Sequence, residues 1–298
     1  MKKIQSLSFY QNSIKYITVD TNSNYWTLLN HGEIPLHEDN TVKTTVQWTK
    51  KKQELFKISR FKKNYGFITV ESHHTYLNKK SINTLEKINH QEIIKNNFIN
   101  TLPILFEKNR YGLDYDVALK EIMKTTEILF MGMLQENIDY LYQTSLSMGI
   151  TPLVLNPSYQ YFAAFLSKQV NKDLAKEYVL FAESSSNYLT LVLIHNNNPI
   201  MKKSIEISDS LERETTNYFY YLKNYLMLPS LMIYFSKIDD NMALLILKAV
   251  KPYFNTTPHK IIKTLRERPC FKEITDETLT DYQDCFIALG GMVADESI

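Results

Sequence analysis

The sequence predicts an α/β protein built from two similar lobes. Its 298 residues are about twice the length of a usual single domain, which favours two units of comparable size. Apolar residues make up 44% of the chain and charged residues 22%, a balance typical of globular rather than disordered proteins. An order of strands, a helix and further strands occurs once in each half, which favours an internal duplication.

Strand patterns open the first half. Period-2 alternation and short apolar runs predict strands in four places: 4–9, 14–19, Tyr25–Leu29 and Tyr65–Val70. Asn12-Ser13 is expected to form the turn of the first β-hairpin. Ser81 has the chemistry of an N-cap, so a helix is expected to begin near Leu85, and Gln91–Phe106 also has helical spacing.

The middle of the chain alternates between strands and helices. Strands are predicted at Leu113–Tyr115, Glu127–Met133 and Pro152–Pro157, and helices at Glu136–Met148 and Tyr159–Leu166. The first of these helices is expected to bury one face, and Gly149 is suited to end it. That face consists of Ile138, Leu141, Tyr142 and Leu146.

The opening pattern then recurs in the second half. Strands are predicted at Tyr178–Phe181, Leu189–Ile194, Ile200–Ile207 and Leu231–Phe235. A helix is expected between the last two, at Leu211–Leu226, with Leu211, Tyr218, Phe219, Leu222 and Leu226 facing inward. The lobes are therefore predicted to span 1–169 and 170–298, with an inserted subdomain at about 45–125 in the first.

Composition excludes several classes of function. Only five of the 34 basic residues are Arg and the net charge is +2, which argues against a nucleic-acid partner. Seven glycines are too few for a glycine-rich phosphate cradle. Cys270 and Cys285 are expected to be free thiols in a reducing compartment. No apolar stretch reaches the length of a membrane-spanning helix, so a cytoplasmic protein is expected.

Isolated clusters of polar residues have ordinary structural explanations. Glu71, His73 and His74 are not expected to bind a metal, because neighbouring residues of a strand point to opposite faces. His195 is expected to be exposed in a turn. The pairs Asp239/Asp240 and Asp281/Asp284 are expected to cap helices. The Gly290-Gly291 pair is expected to allow close packing between helices. No catalytic residue and no metal site is predicted.

A basic run at 42–63 leaves two interpretations open. It holds eight basic residues and one acid, among them Lys50, Lys51, Lys52, Lys62 and Lys63. These lysines either face anionic phospholipid or protect the solvated edge of a β-hairpin from aggregation.

Five short segments follow one another in a fixed order between 102 and 157. They are Leu102–Phe106 (LPILF), Leu113–Tyr115 (LDY), the strand Ile128–Met133, Leu146–Pro152 (LSMGITP) and Val154–Pro157 (VLNP). In this order the chain resembles the PilM family of type IV pilus assembly proteins, and its relative, the cytoplasmic L component of type II secretion. That family has an IPF segment, an LDY strand, and a helix ending in AGL-x-P before a VD strand. Ser13–Lys15 and Phe286–Val293 extend the resemblance towards both ends.

The resemblance implies an actin-like fold, a duplicated ribonuclease H-like architecture with a nucleotide cleft between its two lobes. The family's two Asp-x-Gly phosphate hairpins fall on Ser8-Phe9-Tyr10 and Ala182-Glu183-Ser184, and its Gly-Gly adenosine turn falls on Ser236-Lys237. The aspartates that hold the metal and the glycines that admit phosphate are missing. A degenerate cleft without cofactor is therefore expected, although the hydroxyls of Ser184, Ser185 and Ser186 retain the capacity to bind the phosphates of ATP.

The resemblance further implies a non-catalytic cytoplasmic scaffold of a type IV pilus assembly complex, peripheral to the inner membrane. Its expected partner is the cytoplasmic tail of a bitopic membrane protein, held in a groove near Tyr65–Asn109, and the assembly ATPase is a candidate second partner. Three alternatives stay open: a nucleotide-binding actin-like ATPase switch, a component of a type II secretion system, and a sugar or acyl kinase-type enzyme of the same superfamily.

Overall fold

The computed structural model describes residues 3–21, 26–35, 64–83, 111–116, 125–168 and 177–292. Its strands are β1 (Lys3–Phe9), β2 (Ser13–Asp20), β3 (Thr27–Pro35), β4 (Asn64–Val70), β5 (Thr75–Asn83), β6 (Tyr111–Asp116), β7 (Thr125–Leu134), β8 (Ile150–Pro157), β9 (Tyr178–Ser184), β10 (Tyr188–His195), β11 (Asn198–Glu206), β12 (Met232–Ser236) and β13 (Pro258–Lys260). Its α-helices are α1 (Gln135–Ser147), α2 (Ser158–Ser167), α3 (Leu211–Asn224), α4 (Asp240–Val250), α5 (Ile261–Arg266), α6 (Asp276–Asp281) and α7 (Gln283–Met292). Ser72–His74 and Pro269–Phe271 form 3-10 turns.

Two five-stranded sheets share one topology. The first has the order β3-β2-β1-β4-β8 and the second the order β11-β10-β9-β12-β13. In each, the first three strands form an antiparallel meander, and the two later strands run parallel to the first strand of that meander. The recurrence predicted from the sequence is therefore present in the strand order and in the strand directions.

A third, smaller sheet has the order β5-β7-β6 and lies within Thr75–Leu134. The predicted helix cap at Ser81 is wrong, since Ser81 pairs with Glu127 inside β5. The subdomain limits of about 45–125 remain a prediction. The predicted helix at Gln91–Phe106 and the whole basic run lie outside the described residues, including Lys50, Lys51, Lys52, Lys62 and Lys63.

Helices α2 and α7 pack against each other in the central core. Phe162 and Phe165 of α2 and Phe286 of α7 are fully buried, in one cluster with Phe67 of β4 and Phe181 of β9. Since those strands belong to different sheets, the two helices join the sheets through one apolar layer. Close packing at Gly290-Gly291 is confirmed, because a Cβ atom at Gly290 would lie 2.8 Å from the Phe165 ring.

Two helix faces differ from the sequence prediction. In α1, Leu141 is buried as expected, but Tyr142 is 44% exposed and Leu146 39% exposed, while Thr144 and Ser145 are buried instead. The apolar residues of α1 are spaced so that more than one face of the helix could be buried. The helix packs against β8, and the face that is buried there contains Leu141. Leu226 was predicted to face inward, but α3 ends at Asn224 and Leu226 is exposed beyond it.

Replacement of Gly149 by Ala is expected to cost about 1–2 kcal/mol of unfolding free energy, because this residue has a φ of +75° where an L side chain is strained. No atom lies within 4 Å of a Cβ built there, so the loss would come from the backbone alone. Urea unfolding measures it. Gly149→Asn should lose less, because Asn tolerates this conformation better. An Ala variant as stable as the unmodified chain would contradict the assignment.

Candidate functional site

Polar side chains cluster where the central strands of both sheets end. Tyr10 follows β1 and Glu71 follows β4, which run parallel in the first sheet. Glu183 lies near the end of β9 and Lys237 follows β12, which run parallel in the second sheet. Parallel strands present their carboxyl ends at one sheet edge, which is where α/β proteins place their sites. Asp284, in the first turn of α7, joins the four to form what we call the charge cluster.

Lys237 is the centre of the charge cluster. Its Nζ lies 2.5 Å from Asp284 Oδ2 and 3.2 Å from Glu183 Oε1. The same ammonium lies 4.0 Å from the centroid of the Tyr10 ring, which adds a cation–π contact. The lysine side chain is 22% exposed, whereas those of Glu183 and Asp284 are 2% and 1% exposed. The negative charges of two buried carboxylates are therefore compensated by one ammonium group.

Hydrogen bonds saturate the two carboxylates further. The Tyr10 hydroxyl donates to Asp284 Oδ2 at 3.1 Å, and the Ser236 hydroxyl donates to Asp284 Oδ1 at 3.3 Å. Gln283 Nε2 in turn donates to Ser236 Oγ at 2.9 Å. On the other side, the backbone N–H of Ser72 donates to Glu183 Oε2 at 2.9 Å. Buried charges are tolerated when they are paired and hydrogen-bonded in this way.

Burial and charge pull the pKa values of the charge cluster in opposite directions. Burial by itself would lower the pKa of Lys237, but Asp284, Glu183 and Glu71 outweigh it and raise that pKa above its usual range. Burial raises the pKa of Asp284 in spite of Lys237. For Glu183, burial is outweighed by Lys237 and the Ser72 hydrogen bonds, which lower its pKa. Lys237 thus stays charged at neutral pH and is unsuited to act as a base.

Glu71 stands at the margin of the charge cluster. It is 4% exposed, and its Oε2 atom has no hydrogen-bond partner. Burial raises its pKa to about 7, although the charge of Lys237 opposes this. The carboxyl group therefore titrates near neutral pH.

The structure brings together some of the residues predicted for a degenerate nucleotide cleft. Tyr10 and Lys237 belong to the charge cluster, and Ser236 donates a hydrogen bond to it at Asp284. Ser8 lies beneath the cluster, with its Oγ 3.2 Å from Cys285 Sγ. Ala182 points away, fully buried in the core of the second sheet.

The three serines of the second hairpin stay apart from the charge cluster in the described contacts. Ser184 bonds to the carbonyl of Ser185, and Ser185 bonds to the carbonyl of Tyr188 within its own turn. Ser186 is exposed.

Sequence reasoning missed the acidic members of the charge cluster. Asp284 was predicted to cap a helix, and that is wrong, because its carboxylate is buried against Lys237. Asp239 does cap α4, accepting from the Met242 N–H at 2.7 Å. Lys237 carried a sign in the sequence, since it stands at a position where the resemblance implies glycine. The structure agrees with that position, because Lys237 has a φ of +54°.

One prediction about histidines is wrong, and the argument behind another fails. His195 is only partly exposed, and its ring stacks on Tyr178 with the centroids 4.1 Å apart. His73 and His74 lie in a 3-10 turn rather than a strand, with their ring centroids 3.9 Å apart. The argument that these two side chains must diverge therefore fails.

Neither Cys270 nor Cys285 forms a disulfide bond, as predicted. Cys285 is fully buried in α7, and burial raises the pKa of its thiol to about 12, in spite of its hydrogen bond with Ser8. A thiol of this kind is unreactive at neutral pH, since the thiolate is the nucleophile.

No family model matches this chain, and no curated protein does. Solved structures do. A chain of the PilM-PilN type IV pilus biogenesis complex is 14% identical and superposes with a TM-score of 0.69 over 97% of both chains. A Bacteroides thetaiotaomicron protein of actin-like ATPase fold and unknown function is 10% identical, with a TM-score of 0.53 over 86% of this chain and 90% of that one. The fold is actin-like.

The actin-like fold confirms the α/β, duplicated fold class, and the predicted resemblance to PilM holds at the level of structure. The cytoplasmic domain of EpsL, an inner membrane component of the type II secretion system of Vibrio cholerae, also matches, at 7% identity and a TM-score of 0.49 over 84% of this chain and 95% of that one. That similarity is too low to bear on function. Among the described residues, each helix is too short or too polar to span a bilayer.

Proposed function

We propose that this chain is a non-catalytic cytoplasmic scaffold of a type IV pilus assembly complex, and that its charge cluster replaces a nucleotide site. The observation that carries the proposal is the pairing of Lys237 with Glu183 and Asp284. Glu183 and Lys237 stand at two of the three places where the resemblance implies contacts with a nucleotide, and Asp284 joins them from α7. A lysine ammonium thus supplies internally the positive charge that a metal ion would bring.

The electrostatics of the charge cluster oppose phosphate binding. Lys237 is opposed by two carboxylates, so the local sum of charge is negative or neutral. A phosphate group would meet Glu183 and Asp284 without a free cation among the described residues of the cluster, and repulsion between like charges weakens its binding. The Tyr10 ring, over the ammonium, also occupies space between the first hairpin and Lys237.

The expected partner is the cytoplasmic tail of a bitopic inner-membrane protein, with the assembly ATPase as a second candidate. Support comes from the neighbour with TM-score 0.69, which is a PilM-PilN complex of type IV pilus biogenesis. A scaffold of this kind would work at the cytoplasmic face of the membrane without entering it.

A nucleotide-binding ATPase switch is the second candidate function. The observation that favours it is the serine-rich turn at Ser184–Ser186, whose last hydroxyl is exposed and available to a phosphate. A role in type II secretion is a third candidate, and it differs from the first in the partner rather than in the chemistry.

Calorimetric titration with ATP and Mg²⁺ tests the proposal. We expect no saturable heat at millimolar nucleotide and no rise in melting temperature. Binding would be easy to detect, because a ligand at a hundredfold excess over its Kd adds about 2.7 kcal/mol to the free energy of unfolding. A nucleotide-binding actin-like protein serves as the positive control. Saturable binding in the micromolar range would overturn the proposal. If it disappears in Ser186→Ala, the second hairpin holds the phosphate and the ATPase switch takes its place.

A further inference from the structure

The turn that follows β4 gathers three metal-ligating side chains. Glu71, His73 and His74 each offer a ligand atom, and these atoms all lie within 4.8 Å of one another. The 3-10 geometry makes this possible, since the His74 N–H donates to the Glu71 carbonyl at 3.2 Å and closes the chain on itself. This turn borders the charge cluster, since Glu71 belongs to it and the Ser72 N–H donates to Glu183, but neither histidine is a member.

One ligand atom of this group lacks any other role. Glu71 Oε2 is buried without a hydrogen-bond partner. Such an orphaned oxygen costs free energy in the folded state, more so if it is charged. A cation bound at the turn would compensate it.

The two imidazoles differ in freedom. The His73 ring stacks on Tyr188 of β10, with the centroids 5.1 Å apart and the planes 22° from parallel, so its orientation is held. His74 is exposed, and its ring contacts the His73 ring with the centroids 3.9 Å apart. A tetrahedral zinc ion needs ligand atoms about 3.3 Å apart, given metal–ligand lengths near 2.0 Å. Rotation of His74 supplies the adjustment from the present spacing.

We propose that Glu71, His73 and His74 bind a divalent transition metal ion, with zinc as the best fit. Two imidazoles and one carboxylate suit zinc, and three protein ligands leave a fourth position for water. His74 would place that position on the solvent side. Because Glu71 follows a strand of the first sheet and His73 packs on a strand of the second, the ion would bind at the junction of the two sheets.

Charged groups around the turn act on such an ion in both directions. Glu183 attracts it, whereas Lys237 and Lys202 repel it. Lys202 donates from its Nζ to the carbonyl of Thr75, the residue that follows the turn. Its replacement by Met is therefore expected to tighten zinc binding several-fold, in line with Coulomb repulsion in a partly buried site.

The test is a titration of chelator-treated full-length chain with Zn²⁺ against a chromophoric chelator. One zinc ion per chain is expected, and His74→Ala should weaken its binding at least about tenfold, because it removes a ligand. His74 is exposed, so that variant should fold; circular dichroism checks this. His259→Ala removes an exposed histidine of β13 and is the matched control, with unchanged affinity.

Glu71→Gln provides a second arm, as it keeps the size of the side chain and removes the anionic ligand. Cobalt substitution then reports the geometry, since a four-coordinate site gives strong visible absorption that both variants should lose. Zinc affinity unchanged in both variants, or absence of any stoichiometric binding, overturns the proposal. The result is independent of nucleotide binding, so failure here leaves the scaffold proposal standing.

Discussion

Replacement of Lys237 by Met is expected to destabilise the chain by about 3–5 kcal/mol, because it leaves Glu183 and Asp284 buried without their cation. Met keeps most of the length and apolar volume of lysine, so the loss reports on charge rather than on a cavity. Urea unfolding followed by circular dichroism measures it. Lys248→Met is the matched control: its partner Glu212 is 53% exposed, and removal of such a surface pair should cost about 0–1 kcal/mol.

The pH dependence of this variant has a definite sign. Without Lys237, both carboxyl groups have folded-state pKa values raised by burial above their unfolded values. A raised folded pKa means that the folded state binds the proton, so stability falls as pH rises through that window. The deficit of Lys237→Met should therefore be largest near pH 8 and shrink on acidification. A deficit below 1 kcal/mol at pH 8, or one that grows on acidification, would contradict the ion-pair assignment.

Gly291→Ala is expected to destabilise the chain by about 1–3 kcal/mol, although Ala is the better helix former. A Cβ atom there would lie 2.6 Å from the backbone oxygen of Tyr161 and 3.3 Å from the backbone nitrogen of Phe165. Backbone atoms of α2 cannot rotate out of the way, so the two helices would have to separate. Thermal and urea unfolding measure the change.

Gly290→Ala is the comparison for this prediction. Its new Cβ atom would meet the ring of Phe165 at 2.8 Å, and a ring edge yields more readily than a backbone. The loss at Gly290 should therefore be smaller than the loss at Gly291. Equal stability of Gly291→Ala and the unmodified chain would show that α2 and α7 do not approach as closely as described.

Local periodicity was sufficient to predict much of the fold. Alternation over 4–9 and 14–19 gave the first hairpin, and the same logic gave β9, β10 and β11 in the second half. The prediction failed where the same residues are compatible with either a helix start or a strand. Ser81 has the chemistry of a cap, yet its backbone pairs with β7, because tertiary pairing overrides a preference of one residue.

Only part of the candidate site could be predicted from the sequence. Tyr10 and Lys237 could be singled out because they replace glycine in a known pattern. Asp284 could not, because it lies 274 residues from Tyr10 along the chain, and its local context is that of an ordinary helix start. The argument about His73 and His74 failed for a local reason: it assumed strand geometry, whereas the two residues lie in a 3-10 turn.

The position of α7 has a consequence for biosynthesis. This helix is formed by residues 283–292, far along the chain from β1 and β4, yet it packs against both strands and brings Cys285 to Ser8. The first sheet therefore keeps an apolar face uncovered until residues 283–292 have been synthesised. Because contacts of such long sequence separation form late and slowly, a ribosome-bound chain that lacks these residues should need protection by chaperones. Removal of α7 would leave that face exposed permanently.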